Sequence, residues 1–125
     1  MTKHLVGLIV VSVGVMVEAA TGAEPGQAIS LFNGKDLTGW NAVLADEKSK
    51  AEDVWWVKDG VLSCKGEPRG YIRTEKEFEN YVLKLQWRFP PGTKGGNSGV
   101  LVHTSTPGAI GIWPKSLEAL SLIHI

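Results

Sequence analysis

The chain has 125 residues, 43% of them hydrophobic, enough for one globular domain and too apolar for a disordered tail. Thirteen basic and thirteen acidic residues cancel to a formal charge of zero, so there is no electrostatic case for nucleic acid or an anionic membrane surface as partner. Fifteen glycines and six prolines between short apolar runs favour an all-β domain with many turns over a helical bundle.

Taken in order, Lys3 and His4 precede an apolar run over residues 5–17, and small residues follow up to Ala23. That pattern predicts a secretory signal peptide over residues 1–23, cleaved after Ala19 or Ala23 and taking no part in the fold. The run is short for a membrane span, which needs roughly 20 apolar residues, so no stable span is expected after cleavage. Export fits poorly with Cys64 as the sole cysteine unless the core alone holds the domain, and Cys64 reads as a small buried hydrophobe.

Residues 28–32 form a short apolar run that Asn33-Gly34 ends as a turn. Residues 45–53 are charged and lack an apolar face, which predicts a solvated loop or one exposed helical turn. Residues 54–58 and 61–64 flank Asp59-Gly60, the strongest short-range hairpin signal in the chain. Another strand is expected over residues 70–74. From residue 81 to residue 89, Tyr81, Leu83, Leu85, Trp87 and Phe89 fall on alternate positions, the period of a half-buried strand, with Lys84, Gln86 and Arg88 on its other face. Pro90-Pro91-Gly92 ends that strand, residues 93–97 make a loop, and residues 98–104 restart an extended run with His103 near its end. Strands at this spacing suit a β-sandwich or jelly roll.

Two familiar motifs are excluded along the way. The glycines around Lys94 lack the Gly-Lys-Ser/Thr and helix of a phosphate-binding loop, and Ser98 misses the Gly-x-Ser-x-Gly elbow by one position. The glycines are expected instead to let a tight loop bring Asn97 and the backbone close to a bound sugar.

Five segments carry a family resemblance: residues 31–40 (LFNGKDLTGW), Trp56-x-x-Asp59-Gly60-x-Leu62, Leu85-x-Trp87-Arg88, residues 96–100 (GNSGV) and Pro114-Lys115-Ser116-Leu117-Glu118. In this order they resemble the 3-keto-disaccharide hydrolase domain family. The resemblance implies a concanavalin-like jelly-roll β-sandwich in exported bacterial proteins, periplasmic, secreted or at the cell surface, acting on sugars oxidised at C3. Family members continue well past the Glu118 motif, so residues 24–119 are expected to be only the N-terminal part of such a domain. Residues 120–125 read as a non-native tail.

A 3-keto group acidifies the hydrogen on C2, so a base can remove it and expel the C1 substituent while a cation or metal stabilises the enolate. Glu118 and His103 are the candidate bases, Arg88 the candidate partner of the enolate oxygen, and Asn97, Lys115 and Trp113 candidate sugar contacts. A divalent metal shared by His103 and Glu118 fits their chemistry, but two ligands without a recognised spacing leave the cofactor open. Each of these residues also has an ordinary structural role open to it: a hydrogen-bonded histidine, a surface carboxylate, a solvated arginine. Two other functions stay open as well. A noncatalytic carbohydrate-binding module can use Trp40, Trp55, Trp56 and Trp113 for stacking, although core packing competes for all four. A glycanase needs two carboxylates about 5 to 9 Å apart, and the alternating Glu75, Glu77 and Glu79 fall in a connecting segment.

Overall fold

The computed structural model describes residues 14–17, 28–92 and 96–122. Among these the regular structure is all-β apart from one helical turn. Its elements are β1 (Gly14–Val17), β2 (Ile29–Ser30), β3 (Trp40–Leu44), α1 (Ala51–Val54), β4 (Trp55–Lys58), β5 (Val61–Cys64), β6 (Gly70–Thr74), β7 (Tyr81–Lys84), β8 (Asn97–Val102) and β9 (Leu117–Leu122). The strands pair antiparallel in four sheets among the described residues, β2-β1-β7, β3-β6, β4-β5 and β8-β9, consistent with part of a β-sandwich.

The β4-β5 hairpin follows directly from its turn. Asp59 and Gly60 both take positive φ, 52° and 74°, the geometry of a two-residue turn whose twist matches the strands it joins. Lys58 therefore pairs with Val61, Val57 with Leu62 and Trp55 with Cys64. Because side chains alternate, Trp55, Val57, Leu62 and Cys64 share one face. That face builds the core: Phe32, Val54, Trp55 and Leu62 are buried together, with Leu31, Leu44, Ile72, Tyr81, Leu83 and Leu85 packed around them. Leu62 is fully buried and Trp55 is 4% exposed, so Trp55 serves packing and is not free to stack on a sugar. On the opposite face Trp56 stands 41% exposed, across from the buried Ser63.

The segment before β3 is held by its own polar side chains. Asn33 Oδ1 accepts from the N–H groups of Lys35 (2.8 Å) and Asp36 (2.9 Å), and its Nδ2 donates to Asp36 Oδ1 at 2.7 Å. Thr38 N–H donates to the same carboxylate oxygen at 2.9 Å, and Trp40 Nε1 donates to the Leu31 carbonyl at 2.7 Å. The motif spanning residues 31–40 is thus a self-bonded loop that fastens a half-buried Trp40 over the entry of the chain. β3 then pairs with β6 from Trp40↔Thr74 to Leu44↔Gly70, and hydrogen bonds from Ala45 N–H to Arg69 O and from Glu75 N–H to Gly39 O extend the ladder at both ends.

Four places bear on the sequence expectations. The charged stretch before β4 ends in α1, a single turn in which Glu52 and Asp53 are exposed and Val54 is buried, so one apolar residue docks an otherwise solvated segment. The long alternating strand, expected to reach Phe89, is strand only from Tyr81 to Lys84, where Lys84 pairs with Gly14 of β1. Gly14–Val17, within the apolar run assigned to a leader outside the fold, pairs with Tyr81–Lys84 on one side and Ile29–Ser30 on the other. The remainder of residues 1–23 lies outside the described residues. At the other end, Leu120, Ser121 and Leu122, assigned to a tail, pair with Gly99, Ser98 and Asn97. In both cases an apolar segment has paired along a strand whose N–H and C=O groups need partners.

Candidate functional site

β8 and β9 form the longest ladder, six residue pairs from Asn97↔Leu122 to Val102↔Leu117. Glu118 is the second residue of β9 and sits opposite Leu101, with its side chain exposed. His103 follows the last residue of β8, so the two candidate bases stand at the same end of one ladder. His103 is exposed and has φ 52°. A non-glycine residue in the left-handed region is uncommon, and such strain clusters at functional sites.

The connection over residues 103–116 folds back on itself. Ser105 N–H donates to Lys115 O at 2.8 Å and Lys115 N–H to Thr106 O at 3.1 Å. Ile110 and Trp113 exchange two backbone hydrogen bonds of 3.1 Å around Gly111, whose φ of 63° closes the turn. Pro114 is buried, which anchors the approach to β9. The backbone of Lys115 is therefore structural while its side chain is exposed. Trp113 is half-buried and stacks on Tyr71 of β6, ring centroids 5.7 Å apart at 28°, so one of its faces is occupied by the protein.

The other two candidates lie elsewhere. Asn97 opens β8 at the far end of the ladder from His103, five strand steps or about 17 Å from Val102. The loop before it, residues 93–95, lies outside the described residues. Asn97, expected as the last residue of that loop, is the first residue of β8, while Ser98 and Gly99 are strand as expected. Arg88 lies past the end of β7, exposed, in a shallow open depression of about 610 Å³ lined by Val61, Leu85, Gln86, Trp87 and Arg88. Trp87 is 39% exposed there and meets Phe89 edge-on at 5.4 Å. None of Asn97, His103, Lys115, Trp113 or Glu118 lines that depression. The end of the β8-β9 ladder thus carries His103 and Glu118 with the Lys115 backbone close by, and Arg88 lines a depression that none of the three lines.

Among the described residues, no group of three or more His, Cys, Asp or Glu side chains could hold a metal ion. Cys64 is half-buried, and burial pushes its thiol pKa up, with the Gly66 N–H at 3.3 Å from Sγ opposing the shift. A thiol held protonated in this way suits the structural role expected of it. One neighbour of Glu118 was not legible in the sequence. A methyl group on Gly99 would fall 2.9 Å from Glu118 Cγ and 3.0 Å from Cδ, closer than side-chain atoms pack.

The chain is all-β, with an exposed carboxylate, Glu118, and a positive-φ histidine, His103, at one end of one antiparallel strand pair. The family model for the 3-keto-alpha-glucoside-1,2-lyase-like domain matches residues 27–119, and the chain belongs to that family. No curated protein and no solved structure matches it.

Proposed function

We propose that this chain carries the N-terminal part of an exported enzyme that cleaves 3-keto-glycosides, 3-keto-disaccharides among them, by elimination followed by hydration. Membership of the lyase-like family is the observation that carries the reading, and the shared location of Glu118 and His103 at one end of the β8-β9 ladder supports it. The ketone at C3 makes the C2 hydrogen acidic. Glu118 or His103 takes that proton, the electron pair forms the C1=C2 bond, and the C1–O bond breaks to release the alcohol with a proton. Water added across the double bond then yields the free 3-keto sugar, so the net change is hydrolysis. Enolate stabilisation needs a positive group near O3. Lys115, whose backbone bonds to Ser105 and Thr106 just after His103, is one candidate for that cation, and Arg88 is the other. If a divalent metal serves instead, His103 and Glu118 are the side chains that would hold it, and the metal would polarise the ketone.

A second reading, a noncatalytic carbohydrate-binding module, is favoured by the exposed indoles of Trp56 and Trp87. Turnover separates the two. The complete domain is incubated with a 3-keto-disaccharide and with its unoxidised parent, and products are followed by mass spectrometry. Only the ketone should be consumed; equal rates on both would remove the elimination mechanism. Glu118→Gln keeps the size and removes the basicity, so turnover should fall about 10² to 10⁴-fold with the melting temperature little changed. Turnover within a few-fold of the parent would take Glu118 out of the site.

A further inference from the structure

The geometry points to Gly99 as the positioning residue that seats the Glu118 carboxylate, an inference that rests on the reading of Glu118 as the base. Glu118 stands opposite Leu101 in the register, and Gly99 lies two residues before Leu101 on the same face of β8. The Glu118 side chain leans along the hairpin onto the surface that Gly99 leaves bare. A Cβ at position 99 would meet Glu118 Oε1, Cγ and Cδ together, the last two at 2.9 and 3.0 Å.

The backbone supplies no competing reason for a glycine there. Gly34, Gly39, Gly60, Gly92 and Gly111 all have positive φ and open space where a Cβ would stand, so their role is conformational. Gly99 is the reverse case, an extended residue inside a strand, where glycine weakens a ladder and commonly marks a close approach. Gly70 is also extended, but a Cβ there would meet the backbone and side chain of β3, at 3.2 Å from Leu44 Cα, which is strand packing. Gly34, Gly39, Gly60, Gly70, Gly92, Gly108 and Gly111 have no titratable side chain in the space of a missing Cβ, whereas Gly99 has one. The Glu118 carboxylate thus lies along β8 over the bare Gly99. That suits a base whose oxygen must reach one hydrogen of a sugar.

The test uses Gly99→Ala and Glu118→Gln in the complete domain. Isotope-edited NMR follows the contact between the Glu118 γ-protons and the α-protons of residue 99. In Gly99→Ala the β8-β9 amide pattern should persist and the contact should disappear. With a 3-keto-disaccharide, kcat should fall about 10²-fold, the usual cost of a misplaced catalytic group, with KM within about threefold. A contact unchanged by Gly99→Ala would overturn the seating of Glu118 by Gly99. Loss of the contact with kcat unchanged would overturn its catalytic value. Unchanged turnover in Glu118→Gln would instead overturn Glu118 as the base, and the positioning role with it, while the NMR contact still reports the geometry. Should Gly99→Ala fail to fold, adding Glu118→Ala must restore folding, because it removes the atoms in conflict; a double variant as unstable as the single one would refute the proposal.

Discussion

Asn33→Ala isolates the polar clasp ahead of β3, and its effect can be read at one carboxylate. Asp36 is held at a pKa of about 2, below its ordinary 3.8, first by the hydrogen bond from the Asn33 amide, then by Thr38 through its hydroxyl and N–H, with a smaller contribution from the charge on Lys35. At pH 3 a carboxyl with a midpoint of about 2 is roughly 90% ionised, whereas one at 3.8 is roughly 14% ionised, so the two states are easily told apart. Removing the Asn33 side chain deletes the largest cause and leaves Thr38 and Lys35, so the midpoint should rise by about one unit without reaching the ordinary value. The sign for folding follows. A depressed folded pKa stabilises the native chain above the ordinary carboxylate range, and that contribution is lost as pH falls from about 4 through about 2. Because Asp36 is fully exposed, the quantity to measure is the titration midpoint, by carbon-detected NMR of the Asp36 carboxyl in both proteins. A midpoint that stays near 2 in Asn33→Ala would refute the assignment of the shift to the clasp.

Two further substitutions test the frame. Leu62→Ala removes a fully buried side chain from the centre of the core and should cost about 2 to 5 kcal/mol in denaturant unfolding; a loss under about 1 kcal/mol would show that the Leu62 site can collapse. Gly60→Ala places a β-carbon in open space at φ 74°, so its cost should come from the backbone alone, about 1 to 2 kcal/mol, and D-alanine at the same position should avoid it.

What could be read in advance was whatever depends on neighbouring residues. Asp59-Gly60 demands a tight turn wherever it stands between extended segments, and the hairpin register followed. The same holds for Asn33-Gly34, although the sequence marked only a turn and not the network that Asn33 and Asp36 make. The strand at residue 81 shows the limit. Alternation from Tyr81 to Phe89 says which side chains share a face, but a strand persists only where another strand pairs with it, and the pairing with β1 covers Tyr81 to Lys84. Trp55 and Trp56 are adjacent and chemically identical, yet one is buried and the other exposed, which only the parity of the β4-β5 register decides. For the site, Glu118 and His103 were legible as residue types and through the family resemblance. Their placement at one end of a ladder, and the use of Gly99 as bare floor beneath Glu118, depend on pairing across a connection that sequence spacing does not encode.

The position of β1 has a consequence for the life of the chain. Gly14–Val17 lies between β2 and β7 and bonds to both. If processing removes the leader after Ala19 or Ala23, that middle strand leaves with it, and β2 and β7 face one another across a lane two inter-strand spacings wide, about 9.6 Å. Precursor and processed chain are then two folding problems written in one sequence. In the first, leader residues wanted by the export apparatus can be captured by β7, which would hold the chain back. In the second, the lane must be refilled by another extended segment or the sheet must close over it, so the timing of cleavage relative to folding becomes part of how this domain reaches its working form.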